Sequence, residues 1–572
     1  MKNNYLHSDL NARQQQLVKL LLIVILLLVF VSMAYSQTPS TENTFTTSTT
    51  FNPTIKDAIK YADLPEIKDS VKRIQNIKYG IFSEPLFPKY TVQPIVAAKI
   101  QNEPLPKLYH AIIKAGYGPI YNMPYGEVYL ANTRSRENNY GLHFKHLSNT
   151  AHLENVGFGG MSNNQLKIFA KQFYKKHTLN GDVLYNRDVV RYYGYDTSVN
   201  KLSKDYTKQR YQLINPTLKL QSHYTDSTHI NHTIDLSYYN LQNLHREAEN
   251  NIKLNALGDM FLNGEHFTLN FLTDYYNHKQ SNDTLNNLIM SLNPSFIAGT
   301  KKWNAVLGLT GTLDNFKNQT KFYFYPKLSV DYNVYENIII PYAGIEGGLI
   351  KNSFRSLITA NPFVDTTLNY TNTNNKIKAL VGLRGNLSSN TTYNTRVSYD
   401  IFDSMYFFVR NYTGTNLLQN SFTPLYDNAT LITINGSLKY QLKEKWNIIT
   451  SGNYYIWKTK NITRAYHKPD FDLTISGIYN LESKIILKAD LFIVGQQWTL
   501  SEIRNNETFI NTYQPTLLKG YVDANIGAEY RYSKMLSFFA KFNNIANQRY
   551  FRFDNYPSMR FNFMLGVTFV PF

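Results

Sequence analysis

From Leu108 onward the chain repeats one pattern: segments of about ten to fifteen residues in which apolar and polar side chains alternate, the period-2 signature of half-buried strands. "LITINGSLKYQL" sets Ile432, Ile434, Leu438, Tyr440 and Leu442 on one face and Thr433, Asn435, Ser437 and Lys439 on the other. "KFYFYPKLSVDY" separates Phe322, Phe324, Leu328, Val330 and Tyr332 from Lys321, Lys327 and Asp331. "YVDANIGAEYRY" sets Val522, Ala524, Ile526, Ala528 and Tyr530 against Asp523, Asn525, Glu529 and Arg531. Strands of soluble sandwiches run about five to six residues, whereas a tilted strand crossing a bilayer needs about 9 to 11. These segments meet the second requirement.

The connections carry an independent signal. Tight turns at 175–177, 263–265, 301–302, 335–337, 443–445, 482–483 and 533–534 alternate with long connections such as 188–207, 351–375, 406–429, 496–518 and 546–560. Short turns on one side and long loops on the other mark outer-membrane barrels, with the turns in the periplasm. The pattern predicts an all-β transmembrane barrel of about 22 antiparallel strands over 108–572, with both ends periplasmic. Trp303 and Trp446 follow short turns, while Trp457 and Trp498 stand where strands run into long loops, so the four are expected in two aromatic girdles.

Composition agrees. Aromatic residues make up 15% of the chain and charged residues only 17%, which suits a wall that is apolar outside and polar inside. The absence of cysteine removes disulfides, thiolate metal sites and a lipid-anchored N-terminal Cys. The formal charge of +18 is scattered, which speaks against a nucleic-acid face and suits contact with outer-membrane lipid and lipopolysaccharide.

The N-terminus reads as an export signal, residues 1–36. Lys2, Arg13 and Lys19 precede the apolar run Leu20 to Val31, and Ala34 and Ser36 are the small residues of a cleavage site between Ser36 and Gln37. The run is shorter than the roughly 20 residues of a membrane helix. Residues 37–107 begin Ser/Thr-rich and become proline-rich, with Pro85, Pro88, Pro94, Pro104 and Pro106. That composition predicts a periplasmic extension or a strap inside the lumen, with room to dock a periplasmic protein partner.

The C-terminal stretch "FAKFNNIANQRYFRFDNYPSMRFNFMLGVTFVPF" resembles the end of a TonB-dependent receptor barrel, through Asn544, Asn547, Tyr550, Tyr556, Pro557, Arg560, Gly566 and Phe572. "KAGYGPIYNMPYGEVYLANTRSRENNYGLHFKHLS" is similar to the opening of barrels in Bacteroidota outer membranes often grouped with these receptors. The resemblance implies a receptor and transport function. Those receptors also carry an N-terminal plug, for which 37–107 is too short to be a full counterpart.

A catalytic site is not expected. There is no G-x-S-x-G, H-E-x-x-H or P-loop pattern, so the chain is read as a non-enzyme without a cofactor. His143 and His146, three apart on a strand, fall on opposite faces and make a poor metal pair. "HREAE", His245 to Glu249, reads as a solvated charge cluster in a loop. The long loops combine rings with Arg and Asn: Arg191, Tyr192, Tyr193, Tyr195, Phe407, Arg410 and Tyr412 are the candidate contacts to a small-molecule or oligomer ligand, loop-to-loop packing being the other use of the same rings. Two functions follow: a receptor or transport channel that captures ligand with its loops, or a non-transporting structural or assembly component that docks a periplasmic partner.

Overall fold

The structure is a computed structural model and describes residues 108–133, 135–262, 265–281, 283–412, 418–504 and 511–571. The signal segment with its Ser36/Gln37 cleavage site, the extension 37–107 and Phe572 lie outside them.

The strands are β1 (Ala111–Gly118), β2 (Met123–Ala131), β3 (Asn138–Ser148), β4 (Ser162–Phe173), β5 (His177–Arg191), β6 (Lys208–Ser222), β7 (Asn231–Gln242), β8 (Ala248–Leu262), β9 (Glu265–Lys279), β10 (Thr284–Gly299), β11 (Trp303–Phe316), β12 (Gln319–Tyr332) and β13 (Ile340–Ile350). They continue as β14 (Thr373–Ser388), β15 (Thr391–Arg410), β16 (Phe422–Leu442), β17 (Trp446–Thr459), β18 (Phe471–Leu481), β19 (Ile485–Val494), β20 (Gln497–Arg504), β21 (Asn511–Leu518), β22 (Tyr521–Arg531), β23 (Leu536–Asn543), β24 (Phe551–Phe553), β25 (Tyr556–Pro557) and β26 (Asn562–Phe569). Twenty-two of them form one antiparallel sheet; β20–β21 and β24–β25 are hairpins within loops.

The sheet closes on itself. β26 pairs with β23 on one side and with β1 on the other, Tyr117 facing Leu565 and Ile113 facing Phe569, so neither terminal strand is a free edge. Gly566 lies opposite Gly116, and a Cβ at Gly566 would run into the Phe539 ring and the Ala115 carbonyl. Only glycine admits that ring at the closing seam.

The expected faces are observed. Phe322, Phe324, Leu328, Val330, Tyr332, Ile434, Leu438, Leu442, Val522, Ile526 and Tyr530 are exposed on the outer surface. Inside, polar side chains pair across strands: Asn435 donates to Asn453 at 2.7 Å, and Asn453 donates to Asp472 at 2.9 Å. A closed sheet with an apolar exterior leaves no unpaired terminal strand in hydrocarbon, the architecture of an outer-membrane barrel. On β12 the apolar outer row runs from Phe322 to Tyr332, which at ~3.3 Å per residue and a tilt of ~40° stands roughly 25 Å tall.

The expected alternation is seen in part: one rim has connections of at most eight residues, while the other carries the long connections 149–161, 192–207, 351–372, 495–520 and 544–561 among short ones at 119–122, 243–247, 280–283 and 317–318. The long connections are more ordered than the sequence suggests: β15 and β16 extend to Arg410 and back from Phe422, well into the expected loop 406–429. The four tryptophans expected in girdles do not share one environment. Trp303 and Trp446 are exposed beside short turns. Trp457 instead points inward, its ring 5.7 Å from Phe407 and 6.3 Å from Phe402, and Trp498 belongs to the same inner cluster, with the Arg464 guanidinium 4.5 Å from its ring. A tryptophan next to a long loop is as well buried under that loop as in lipid, and strand parity decides which.

Candidate functional site

The long-loop rim encloses the main apolar core. Its centre is the connection between β13 and β14, residues 351–372, which carries the only helix among the described residues, Phe354–Ala360. Ser353 caps that helix by accepting from the Ser356 N–H, and the Ser356 hydroxyl lies 2.8 Å from the Ser353 N–H, a closed capping box. Phe354, Leu357, Val364, Leu368 and Tyr370 are buried, packed against Tyr211, Tyr239, Tyr276 and Leu285 of the wall and against Phe408, Phe422, Phe553 and Tyr556. These partners come from β6 to β10, from β15 and β16, and from the final loop, so the segment reaches inward as a strap from one arc of the rim toward others.

The strap is held in two ways. At its root, Glu249 is fully buried and accepts from the Phe354 N–H (2.7 Å), the Arg355 N–H (3.3 Å), the Tyr239 hydroxyl (2.6 Å) and the Tyr370 hydroxyl (3.4 Å). A carboxylate at a helix N-terminus meets free N–H groups and the positive end of the peptide dipoles. Lys351 donates to Asp274 at 2.8 Å, Asn372 to Asp314 at 2.9 Å, Gln280 to the Leu368 carbonyl at 2.8 Å and Tyr276 to the Asn352 carbonyl at 3.0 Å. The "HREAE" reading is corrected here: Glu249 is the second residue of β8, and both it and Glu247 are buried. The sequence signal for this pin was faint, an S-x-x-S box within "NSFRSLITA" inside a long loop.

The tip is held by rings and by a short backbone bridge: the Asp365 N–H donates to the Phe422 carbonyl at 2.8 Å, the Phe422 N–H to the Phe363 carbonyl at 3.0 Å, and the Asp365 carboxylate accepts from Asn411 at 2.7 Å and from Ser421 at 3.1 Å. Phe363 stacks on Tyr556 at 3.7 Å between centroids and meets Tyr193 edge-on at 5.7 Å. Tyr192 donates to the Val364 carbonyl at 2.8 Å, and Tyr556 to the Asn420 carbonyl. Burial pushes the Tyr192, Tyr193 and Tyr556 hydroxyls up from the ordinary tyrosine value, so they act as neutral donors. Beside them His467 is buried, with Nδ1 2.7 Å from the Phe408 carbonyl and Nε2 3.3 Å from the Asp554 N–H. Those partners require the neutral ring, and burial lowers its pKa to about 4. Burial likewise lowers Lys468 to about 8.

The expected ligand residues divide. Arg191 and Tyr193 line a cavity of about 530 Å³ at this rim, together with Thr359 and Phe363 of the strap tip and Asp523, Tyr550, Arg552, Phe553 and Tyr556. The others pack loop on loop. Tyr195 is buried against Gly157, and Phe407 is fully buried with Tyr466 and Trp457. Arg410 donates twice to the Gln419 carbonyl and pairs with Asp554 at 3.4 Å, and Tyr412 donates to the Leu500 carbonyl at 2.9 Å. Arg552, on the cavity wall, was not expected from the sequence.

The C-terminal signature finds structural uses at the same rim. Asn544 and Asn547 take positive φ values of 47° and 52°, where Asn is tolerated. Tyr550 stacks on Tyr521 at 4.0 Å and donates to Asp523 at 2.7 Å, Tyr556 and Pro557 form β25, and Arg560 meets Glu154 at 3.3 Å. His143 and His146 bond separately, to Glu127 and Asn164.

No family model and no curated protein matches the chain. Solved structures do. The FrpB iron transporter from Neisseria meningitidis superposes with a TM-score of 0.63 at 9% identity, covering 81% of this chain and 82% of that one. The ferripyoverdine receptor of the outer membrane of Pseudomonas aeruginosa gives 0.58 at 10% identity over 81% and 71%. The ferric enterobactin receptor PfeA of the same organism gives 0.57 at 12% identity over 80% and 79%. At such identities the likeness is one of fold.

Proposed function

We propose that this chain is an outer-membrane receptor and transport channel, built on a TonB-dependent receptor-like barrel without a full plug, which captures ligand at its long-loop rim. The supporting observation is the cavity beside the strap tip. Rings of Tyr193, Phe363, Tyr550, Phe553 and Tyr556 surround it, with two guanidiniums, Arg191 and Arg552, against one carboxylate, Asp523. Such a wall favours a ring-bearing solute with anionic groups, through stacking and charge-assisted hydrogen bonds. Ferric siderophores, named for two of the structural neighbours, belong to that class.

Binding there would exchange Phe363–Tyr556 stacking for ligand contacts and loosen the strap tip. The test is fluorescence titration of the purified protein with ferric enterobactin and ferripyoverdine as probes, alongside their iron-free forms. Saturable binding that weakens at least tenfold in Arg552→Ala supports the reading. Absence of binding by every probe, or affinity unchanged in Arg552→Ala, contradicts capture at this cavity.

A further inference from the structure

The barrel wall has one weak seam, between β12 and β13. β12 pairs with β11 over its whole length, Gln319 to Tyr332, but with β13 only over Leu328–Asp331. Among the described residues, no ladder partner is found on that side for β12 above Leu328. Proline marks the point. Pro216 and Pro294 also interrupt ladders, yet β6–β7 and β10–β11 resume on both sides of them. The β12–β13 ladder ends at Leu328, two residues short of Pro326, and does not resume beyond it. Proline sits in a strand where the missing N–H faces an edge, and the β13–β14 register shifts between Glu346 and Gly348.

The seam lies at membrane depth. The apolar outer row of β12 runs from Phe322 to Tyr332, so the unpaired stretch occupies the half of that band toward the long loops, where Phe322 and Phe324 are 67% and 70% exposed. An open edge in hydrocarbon is costly unless its polar groups are covered or reach water. On the lumen side only side chains cover it: the Tyr325 ring lies where a Cβ on Gly347 would be, its hydroxyl 2.8 Å from Asn374 Oδ1, with Tyr323 stacked on it at 6.1 Å. Opening the wall elsewhere breaks a backbone ladder; here the buried Tyr325 ring and its hydroxyl bond to Asn374 are what must move. Outside, just below the seam, small Ala343, Gly344 and Ala379 between Leu328, Val330 and Ile345 leave an apolar groove of about 430 Å³. Inside, the Lys327 ammonium bonds the neutral Asn293 amide at 3.2 Å.

We infer that this seam is a lateral site for an acyl-chain amphiphile, its tail in the outer groove and its acidic head turned through the gap toward Lys327. The occupant is identified by its setting: the groove faces the hydrocarbon band and is apolar, while behind the gap Lys327 makes no ion pair among the described residues, the nearby Asp314 being held by Asn287 and Asn372 and Asp403 by Lys376. Ligand capture at the long-loop rim is not required for it.

The chain has no cysteine, so single sites can be labelled cleanly. Full-length protein carrying Tyr323→Cys, modified with an environment-sensitive fluorophore, is reconstituted with mid-chain doxyl phosphatidylglycerol, or in unlabelled lipid with added doxyl-stearate. Thr433→Cys, inward-facing at the same distance from the turn rim on fully paired β16, is the control. At least twofold stronger quenching at 323 than at 433 is expected, increased by Tyr325→Ala. Quenching by the phospholipid alone assigns the site to bilayer lipid, and quenching by doxyl-stearate as well, reduced by Lys327→Met, to a free acyl acid. Equal quenching at 323 and 433 with both probes overturns the inference. Should Tyr323→Cys fail to give a heat-modifiable barrel, Lys321→Cys, the neighbouring inward position of the stretch that lacks a β13 partner, reads the same gap.

Discussion

The root and the tip of the strap 351–372 both pack rings against their neighbours, yet they are fastened by different sets of bonds. The root is pinned to β8–β11 by wall carboxylates and amides centred on Glu249, while the tip is held to neighbouring loops by stacking of Phe363 on Tyr556, by tyrosine hydroxyls and by a two-bond backbone bridge from Phe363 and Asp365 to Phe422. Buried polar bonds are directional and expensive to break, because each orphaned group keeps its desolvation cost. Ring stacks contribute less and tolerate exchange of partners. The difference assigns permanence to the root and leaves the Phe363 ring, which borders the cavity, as the part of the tip free to exchange partners.

The largest effect is expected at the pin. Glu249→Ala leaves the Phe354 and Arg355 N–H groups and the Tyr239 hydroxyl without their acceptor, at about 1–3 kcal/mol for each. The root of the strap should detach, and trypsin should cleave after Arg355 in the mutant on intact cells while sparing that bond in the native protein. Resistance equal to the native protein would erase the distinction between root and tip. Lys351→Met comes next: it strands the buried Asp274 carboxylate, and breaking such a pair costs about 3–5 kcal/mol before Asn251, which donates to the same carboxylate at 2.6 Å, offsets part of it. Partial cleavage after Arg355 is expected.

Phe363→Ala should do less to the root. The lost stack contributes about 0.5–1.5 kcal/mol beyond simple burial. Trypsin should still spare Arg355, while affinity for the cavity ligand falls; cleavage as fast as in Glu249→Ala would show that the tip, too, carries the strap. The smallest effect is that of pH. His467 is held neutral at the closed tip with a pKa near 4 against 6.5 in an open, solvated state. The open state therefore takes up more protons between those values, so closure is fully stable above pH 6.5, weakens as pH falls toward 4 and changes no further below it. Asp554, Arg410 and Lys468 face the ring, and the Asp554 carboxylate moderates the loss. Thermal melts of native protein and His467→Gln should diverge only in that window.

How much of this could be read from the sequence differs by region for a physical reason. Strand parity is local, so Ile434, Phe324 and Val522 revealed their outward faces without any knowledge of the barrel, and the terminal strand could be matched to the first. Glu249 and Trp457 could not be placed in that way. Glu249 acquires its role from a helix that follows 105 positions later, at Phe354, and Trp457 from rings on β15. The ring-rich loops were visible as a class, but which rings face a cavity and which bury one another depends on long-range packing. Tyr193 and Tyr195, two residues apart, went to different fates. The seam was written in Pro326, but only the failure of β13 to resume pairing distinguishes it from Pro216 and Pro294.

The central claim, that this chain's own strap covers the long-loop mouth of the barrel, is most directly tested at Leu285, a wall residue 1% exposed beneath it. Leu285→Cys on intact cells should react with a membrane-impermeant maleimide no faster than Ser483→Cys at the opposite rim, and as fast as Val199→Cys in the exposed β5–β6 loop once Glu249→Ala is added. Rapid labelling of Leu285→Cys with Glu249 in place would contradict it.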